Sequence, residues 1–107
     1  MLNDQFIKKL EKRRAPDLPG SLIFRVDKQA DPDLHLALQR SIPVDFSESG
    51  FKILTLHSID RSQEVELQVM NKNGESSYYH AKVIKKEQIE EEDGTYFGIQ
   101  FEFFDPA

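Results

Sequence analysis

Cysteine and tryptophan are absent from this 107-residue chain, and histidine occurs only three times. The absence of cysteine excludes disulfides, thiol nucleophiles and thiolate metal sites. The three histidines, His35, His57 and His80, lie too far apart to show metal-ligand spacing, so we expect no metal site. The first residues mix charged and apolar side chains without a long hydrophobic run, which predicts neither a secretory signal nor a membrane span. We therefore expect a cytoplasmic protein that does not insert directly into a membrane.

The net charge is unevenly distributed along the chain. Five Lys and Arg side chains against two carboxylates give residues 1–14 a formal charge of +3, whereas the whole chain carries −5, which leaves −8 on the remainder. Extended nucleic-acid binding needs a broad positive surface, so we expect no DNA or RNA partner. The acidic run at residues 90–94 is expected to be a solvated hairpin tip rather than a metal site, because contiguous carboxylates lack a convergent scaffold.

Apolar and polar residues alternate over several short segments, which predicts an all-β domain. Residues 64–70 and 96–104 show the clearest alternation, and a turn sequence at residues 71–74 follows the first of them. The apolar side chains expected in the core are Val65, Leu67, Val69, Phe97, Ile99, Phe101 and Phe103. Strands at this spacing with little helix are typical of a small antiparallel β-barrel.

At most two short segments are predicted to be helical. Residues 1–15 form a basic arm, either flexible or a short helix with Phe6 and Leu10 on its apolar side, in front of a single domain at residues 16–107. Residues 33–40 fit either a strand or a helix, because their three leucines alternate while the first and the last also share a helical face.

One stretch combines a strand pattern with polar groups and a turn. Val44 and Phe46 can enter a core, because successive strand residues point to opposite faces. Asp45 and Ser47 then lie together on the other face, and Gly50 supplies the backbone freedom for a turn. From spacing alone, this stretch is interpreted as an ordinary hairpin whose Asp and Ser cap the turn, rather than as a ligand site.

Three motifs of this chain, taken in order, resemble those of the PilZ family of bacterial cyclic di-GMP receptors. The basic segment at residues 11–16 precedes the first predicted strand, as the R-x-x-x-R motif of that family does. Residues 45–50, DFSESG, fit its D/N-x-S-x-x-G motif, and residues 98–101, GIQF, are similar to the G-x-x-F pattern of its closing strand. The resemblance covers most of the chain and implies a small six-stranded antiparallel β-barrel with a short N-terminal arm.

This resemblance also implies a set of residues that bind cyclic di-GMP. The implied ligand-binding residues are Arg13, Arg14, Asp45, Ser47 and Gly50. Asp17 stands where the family has its second arginine, so a carboxylate replaces attraction for the ligand with repulsion, and affinity is expected to be weakened. Arg14 is expected to compensate in part.

The chemistry of these residue types agrees with the implied ligand. An arginine fork can bond guanine O6 and N7 together, bridge phosphate oxygens or stack on a base. Asp45 can accept hydrogen bonds from guanine N–H groups, Ser47 can donate or accept, and Gly50 permits close backbone approach. Together these groups suit a purine-bearing dianion.

The resemblance predicts a non-catalytic signalling domain that binds cyclic di-GMP and an unidentified protein partner in motility or biofilm regulation. The alternative is a ligand-independent adaptor for a motility, secretion or polysaccharide system, which Asp17 favours. We do not expect an enzyme: Ser47, His57 and Asp60 are triad residue types, but the serine lacks a nucleophile-elbow sequence.

Overall fold

The computed structural model describes residues 4–16, 18, 20–26, 29, 31–60 and 63–105. The described elements are the helices α1 (Asp4–Glu11) and α2 (Pro32–Gln39) and the strands β1 (Ser21–Arg25), β2 (Ile42–Phe46), β3 (Gly50–Thr55), β4 (Glu64–Met70), β5 (Ser76–Glu91) and β6 (Gly94–Phe104). The strands form one antiparallel sheet in the order β1-β4-β5-β6-β3-β2, curled into a half-barrel. The predicted all-β fold with six antiparallel strands and a short N-terminal helix is confirmed.

Helix α2 lies at residues for which the sequence pattern allowed two structures. Its start is fixed locally, because the Asp31 side chain accepts a hydrogen bond from the Leu34 N–H at 3.1 Å and Pro32 occupies the first turn. Leu34, Ala37 and Leu38 are buried on one face of the helix. Because α2 joins β1 to β2, the two edge strands of the open sheet, this apolar face packs into the concave side of the half-barrel.

The concave side holds the main core. All seven side chains predicted for it belong to this cluster, with Phe97 and Phe103 only partly buried. Phe51 of β3 and Phe101 of β6 stack with ring centroids 4.6 Å apart at an interplanar angle of 10°. The prediction of the core is confirmed, because the period of two correctly assigns the inner faces of β4 and β6.

A second apolar cluster lies on the convex side, under α1. Phe6 and Leu10, one helical turn apart, pack with Ile42, Leu54 and Tyr96. An eight-residue helix is marginal in isolation, so this packing is what stabilises it. The arm is therefore docked on the sheet through its apolar stripe, and its basic side chains are held near the strands below. No helix in the described part of the chain is long and apolar enough to cross a membrane.

A bulge in β2 changes the face of the sheet on which its side chains were expected to lie. Pro43 pairs with Ile53 and Asp45 pairs with Lys52, so Val44 is the extra residue. Val44 therefore packs against the convex cluster under α1, whereas Phe46 packs against the concave core. The expectation that Val44 and Phe46 enter the same core was wrong, because alternation fails at the bulge.

Strand β5 is longer than its neighbours. It has 16 residues, of which residues 76–82 pair with β4 and residues 80–91 pair with β6, with a register shift between Val83 and Lys85. The far end of the β5–β6 hairpin extends past β4 and reaches α1, where Glu91 and Asp93 meet the basic arm. This extension brings the acidic and basic parts of the sequence together.

Candidate functional site

Ser47 organises the tight turn between β2 and β3. Its N–H donates to the Gly50 carbonyl at 2.9 Å, and its Oγ accepts from the Ser49 N–H at 3.3 Å. The same hydroxyl lies 3.2 Å from Ser49 Oγ and 3.3 Å from the Gly50 carbonyl oxygen. Ser47 is nevertheless exposed, so its oxygen both caps the turn and faces solvent.

Gly50 is required by the packing of β3 against β6. A Cβ at this position would lie 2.0 Å from the Phe101 carbonyl oxygen, far inside van der Waals contact. The sequence suggested that a side chain is missing here for a turn or for the approach of a ligand. The backbone that approaches Gly50 in the structure is that of the neighbouring strand.

Asp45, Ser47 and Gly50 share one shallow depression of about 340 Å³ on the convex side of the sheet. Lys52 and Gln100 line the same depression, because Asp45, Lys52 and Gln100 are in register across β2, β3 and β6. The depression thus combines the carboxylates of Asp45 and Glu102 and the hydroxyls of Ser47 and Ser49 with one amide and one ammonium group. The Lys52 ammonium group is the positive charge that can meet an anionic part of a ligand, and the other groups can meet its hydrogen-bonding parts. Sequence reasoning missed Lys52, because its pairing with Asp45 depends on the bulge.

Arg13 lies elsewhere, against the end of the β5–β6 hairpin. Its Nη1 donates to the Tyr96 hydroxyl, its Nη2 donates to Glu91 Oε1 at 3.2 Å, and its guanidinium carbon lies 5.5 Å from the centroid of the Tyr96 ring. Among the described residues that line the Asp45 depression, none comes from the arm. The residues predicted for the site therefore do not all lie together, because Arg13 is separate from Asp45, Ser47 and Gly50.

Arg14 lies over the edge of the sheet. The N–H of the following residue, Ala15, donates to the Pro43 carbonyl at 2.9 Å, which fixes the arm against β2 two residues before Asp45. Arg14 lines a cavity of about 500 Å³ between β1 and α2 and a second one of about 330 Å³ beside α1. Asp17 lies outside the described residues.

The carboxylate of Glu91 is the centre of an ionic cluster that we call the arm clasp, formed by Lys9, Arg13, Glu91, Asp93 and Tyr96. Lys9 Nζ lies 2.6 Å from Glu91 Oε2 and 3.5 Å from Asp93 Oδ1, and the Tyr96 hydroxyl donates to Glu91 Oε1 at 3.1 Å. The hydrogen bond from Lys9, then that from Tyr96, lowers the pKa of Glu91 against the opposing effect of burial. The hydrogen bond to Glu91 in turn raises the pKa of Lys9. The expected hairpin tip is present, but its Glu91 is not simply solvated.

Glu91→Gln should change how stability depends on pH. Because the folded pKa of Glu91 is lowered, its contribution is fully present above the unfolded value of about 4.3 and is lost as the pH falls through the folded value. Urea denaturation at pH 7 is expected to show a less stable variant, and the difference from the natural chain should disappear toward pH 2. Glu92→Gln, which removes the same charge from the exposed turn, is the control. A constant difference between the two variants across this range would contradict the prediction.

The structure does not assemble a catalytic triad from the candidate residues. Ser47 Oγ is engaged with its own turn, as described above. His57 Nε2 is buried without a hydrogen-bond partner among the described residues, so it does not activate the serine. In this arrangement His57 therefore does not serve Ser47 as a general base.

Comparison with protein families gives a match over most of the chain. The model of the PilZ domain family matches residues 11–107, which include every described strand, Arg13 and Arg14 of the arm, and Asp45, Ser47 and Gly50. Neither the curated proteins nor the solved structures give a significant match. The family match covers nearly the whole chain, including all five residues predicted to bind the ligand.

Proposed function

Because the chain belongs to the PilZ domain family, we propose that it is a signalling domain that binds cyclic di-GMP with weakened affinity. PilZ domains are a cyclic di-GMP-binding type of signalling domain and are generally non-catalytic. The observation that carries the proposal is the depression in which Asp45, Ser47 and Gly50 meet beside Lys52. Since the ligand is a bacterial second messenger, we further infer a cytoplasmic location.

Each group in the depression suits one part of the ligand. The Asp45 carboxylate is an acceptor for the N1–H and N2–H groups of guanine, and the exposed Ser47 hydroxyl can accept or donate beside it. The Lys52 ammonium group, whose stem lies over Gly98, supplies positive charge for a phosphate. Arg13 or Arg14 would complete the site from the arm, with a planar fork for the guanine edge or for phosphate oxygens.

Two features weaken this proposed site. Asp17 introduces a carboxylate where ligand-binding members of the family have an arginine, so one charge-assisted contact is missing and a repulsive charge is added. In addition, Arg13 is already paired with Glu91 and Tyr96 rather than directed toward Asp45. We therefore propose that the natural chain binds cyclic di-GMP weakly.

Calorimetric titration with cyclic di-GMP tests the location of the site. We expect weak, saturable binding by the natural chain and a loss of about tenfold or more for Asp45→Ala, because hydrogen bonds to a charged group contribute about 1.5–3 kcal/mol. Asp60→Ala removes an equally exposed carboxylate outside the depression and should leave the affinity unchanged. Equal affinities for the natural chain and the Asp45 variant would show that the ligand binds elsewhere, and the absence of heat and thermal shift at high concentration would favour an adaptor.

A ligand-independent adaptor for a motility, secretion or polysaccharide system is the second candidate, and one surface favours it. Ile23, Gln68 and Tyr78 are in register across β1, β4 and β5 on the convex side. Ile23 and Tyr78 are 40% and 66% exposed, and Met70 is also exposed on β4. Clustered exposed apolar side chains are typical of protein-interaction surfaces.

A further inference from the structure

The arm clasp uses one of the N–H donor pairs by which Arg13 can recognise a ligand. Both terminal nitrogens of its guanidinium are engaged, Nη1 by the Tyr96 hydroxyl and Nη2 by a Glu91 oxygen. A guanine edge or a phosphate is recognised by the same kind of paired N–H donors. Arg13 therefore cannot offer this pair to a ligand while Glu91 and Tyr96 hold it, and its three other N–H donors can meet only a ligand that reaches the clasp.

The clasp also lies away from the depression. Tyr96 and Gln100 are both on β6, four residues apart on the same convex face, and Gln100 is in register with Lys52 and Asp45. Strands rise about 3.3 Å per residue, so the separation along β6 is roughly 13 Å. Arg13 has to leave Tyr96 to contact a ligand bound beside Asp45.

Other contacts in the clasp favour its closed form. Lys9, in the last turn of α1, and Arg13, two residues beyond its end, both pair with Glu91, whose side chain is only 22% exposed. Tyr96 is buried against Phe6, with ring centroids 6.0 Å apart, so its hydroxyl is held in place by the same cluster that docks α1. The acceptors for Arg13 are therefore pre-positioned.

We infer that Glu91 and Tyr96 lower the affinity for cyclic di-GMP by holding Arg13 away from the Asp45 depression, an inference that rests on the proposed function. Ligand and clasp compete for the same guanidinium. When only the molecules in which Arg13 has left Glu91 and Tyr96 can use it for binding, the apparent affinity is the intrinsic affinity multiplied by the fraction of such molecules. The Glu91 carboxylate therefore competes with the anionic ligand for Arg13 within the same molecule.

The test compares three substitutions in both the natural chain and an Asp17→Arg background, with cyclic di-GMP as the titrant. Glu91→Gln should tighten binding by about two- to fivefold, the range that exposed ion pairs support. Tyr96→Phe should change the affinity in the same direction without altering the net charge or the packing of the ring. Glu92→Gln removes the same charge from the exposed turn beside the clasp and should bind like its parent.

The possible outcomes separate this inference from the proposed function. If the parents bind but Glu91→Gln binds no tighter than Glu92→Gln, the inference fails while the proposed function stands. Weaker binding by Glu91→Gln also overturns the inference, since it would show that the clasp positions Arg13 for the ligand. If no form binds, including the Asp17→Arg variants, both the inference and the proposed function fail. In that case, faster amide hydrogen exchange in α1 of the Glu91→Gln variant would show that the clasp only holds the arm on the sheet.

Discussion

Asp17→Arg is expected to tighten cyclic di-GMP binding by about ten- to a hundredfold. A charge-assisted hydrogen bond contributes about 1.5–3 kcal/mol, and each 1.4 kcal/mol corresponds to a factor of ten in affinity. If Asp17 corresponds to the second arginine of the family motif, as proposed above, the substitution supplies that arginine and also removes a carboxylate that would repel the phosphates. Calorimetric titrations of both forms in identical buffer measure the change, and the gain should shrink as ionic strength rises.

Two further substitutions at this position separate the contributions to that gain. Asp17→Asn removes the repulsive charge without adding a donor fork, and Asp17→Lys adds a point charge without planar bidentate geometry. We expect both to bind more tightly than the natural chain and less tightly than Asp17→Arg. Tight binding by the natural chain that Asp17→Arg fails to improve would show that this protein does not use the family's second-arginine position.

Gly50→Ala is expected to lower the free energy of unfolding by about 3 kcal/mol, at the upper end of the usual cost of overpacking. The new methyl group would lie 2.0 Å from the Phe101 carbonyl oxygen, and a backbone atom in a paired strand cannot move aside as a side chain can. The expected result is a local loss of the β3–β6 pairing. Urea denaturation followed by far-UV circular dichroism measures it.

Gly98→Ala is the matched control on the adjacent strand. Its added Cβ would lie 3.3 Å from Lys52 Cε, the flexible part of a side chain that can shift, so we expect a change of less than about 1 kcal/mol. Equal destabilisation by both substitutions would contradict the assignment of Gly50 to strand packing. The comparison also matters for binding, because a Gly50 variant can lose the ligand through loss of the fold alone.

The alternation of apolar and polar residues was sufficient to predict the strands whose two faces differ strongly in polarity. Strands β4 and β6 were predicted within a residue or two, because Val65, Leu67 and Val69, and the matching residues of β6, alternate with polar neighbours. The same rule could not settle α2, whose leucines fit both periods. The Asp31 cap and Pro32, which are typical of a helix start, are the local signals that distinguish the helix from a strand here.

The candidate site was less accessible to sequence reasoning than the fold. The order of the motifs indicated Asp45, Ser47 and Gly50, and the structure brings these three together. The contact between Arg13 and Glu91 joins residues 78 positions apart, and no periodicity in one sequence records such a pairing. Glu91 was read as part of a solvated acidic run, since its partners become neighbours only after α1 docks on the convex side.

The unequal length of β5 has a consequence for self-association. In the described part of the chain, residues 84–91 have a strand neighbour only on the β6 side, so the opposite side presents free backbone donors and acceptors. Such an edge can recruit another chain into a growing sheet. Lys85, Glu87 and Glu90 place charges along it, and the register shift at Ile84 interrupts its regular spacing. The long hairpin that reaches the arm is thus protected from aggregation by its own polar sequence.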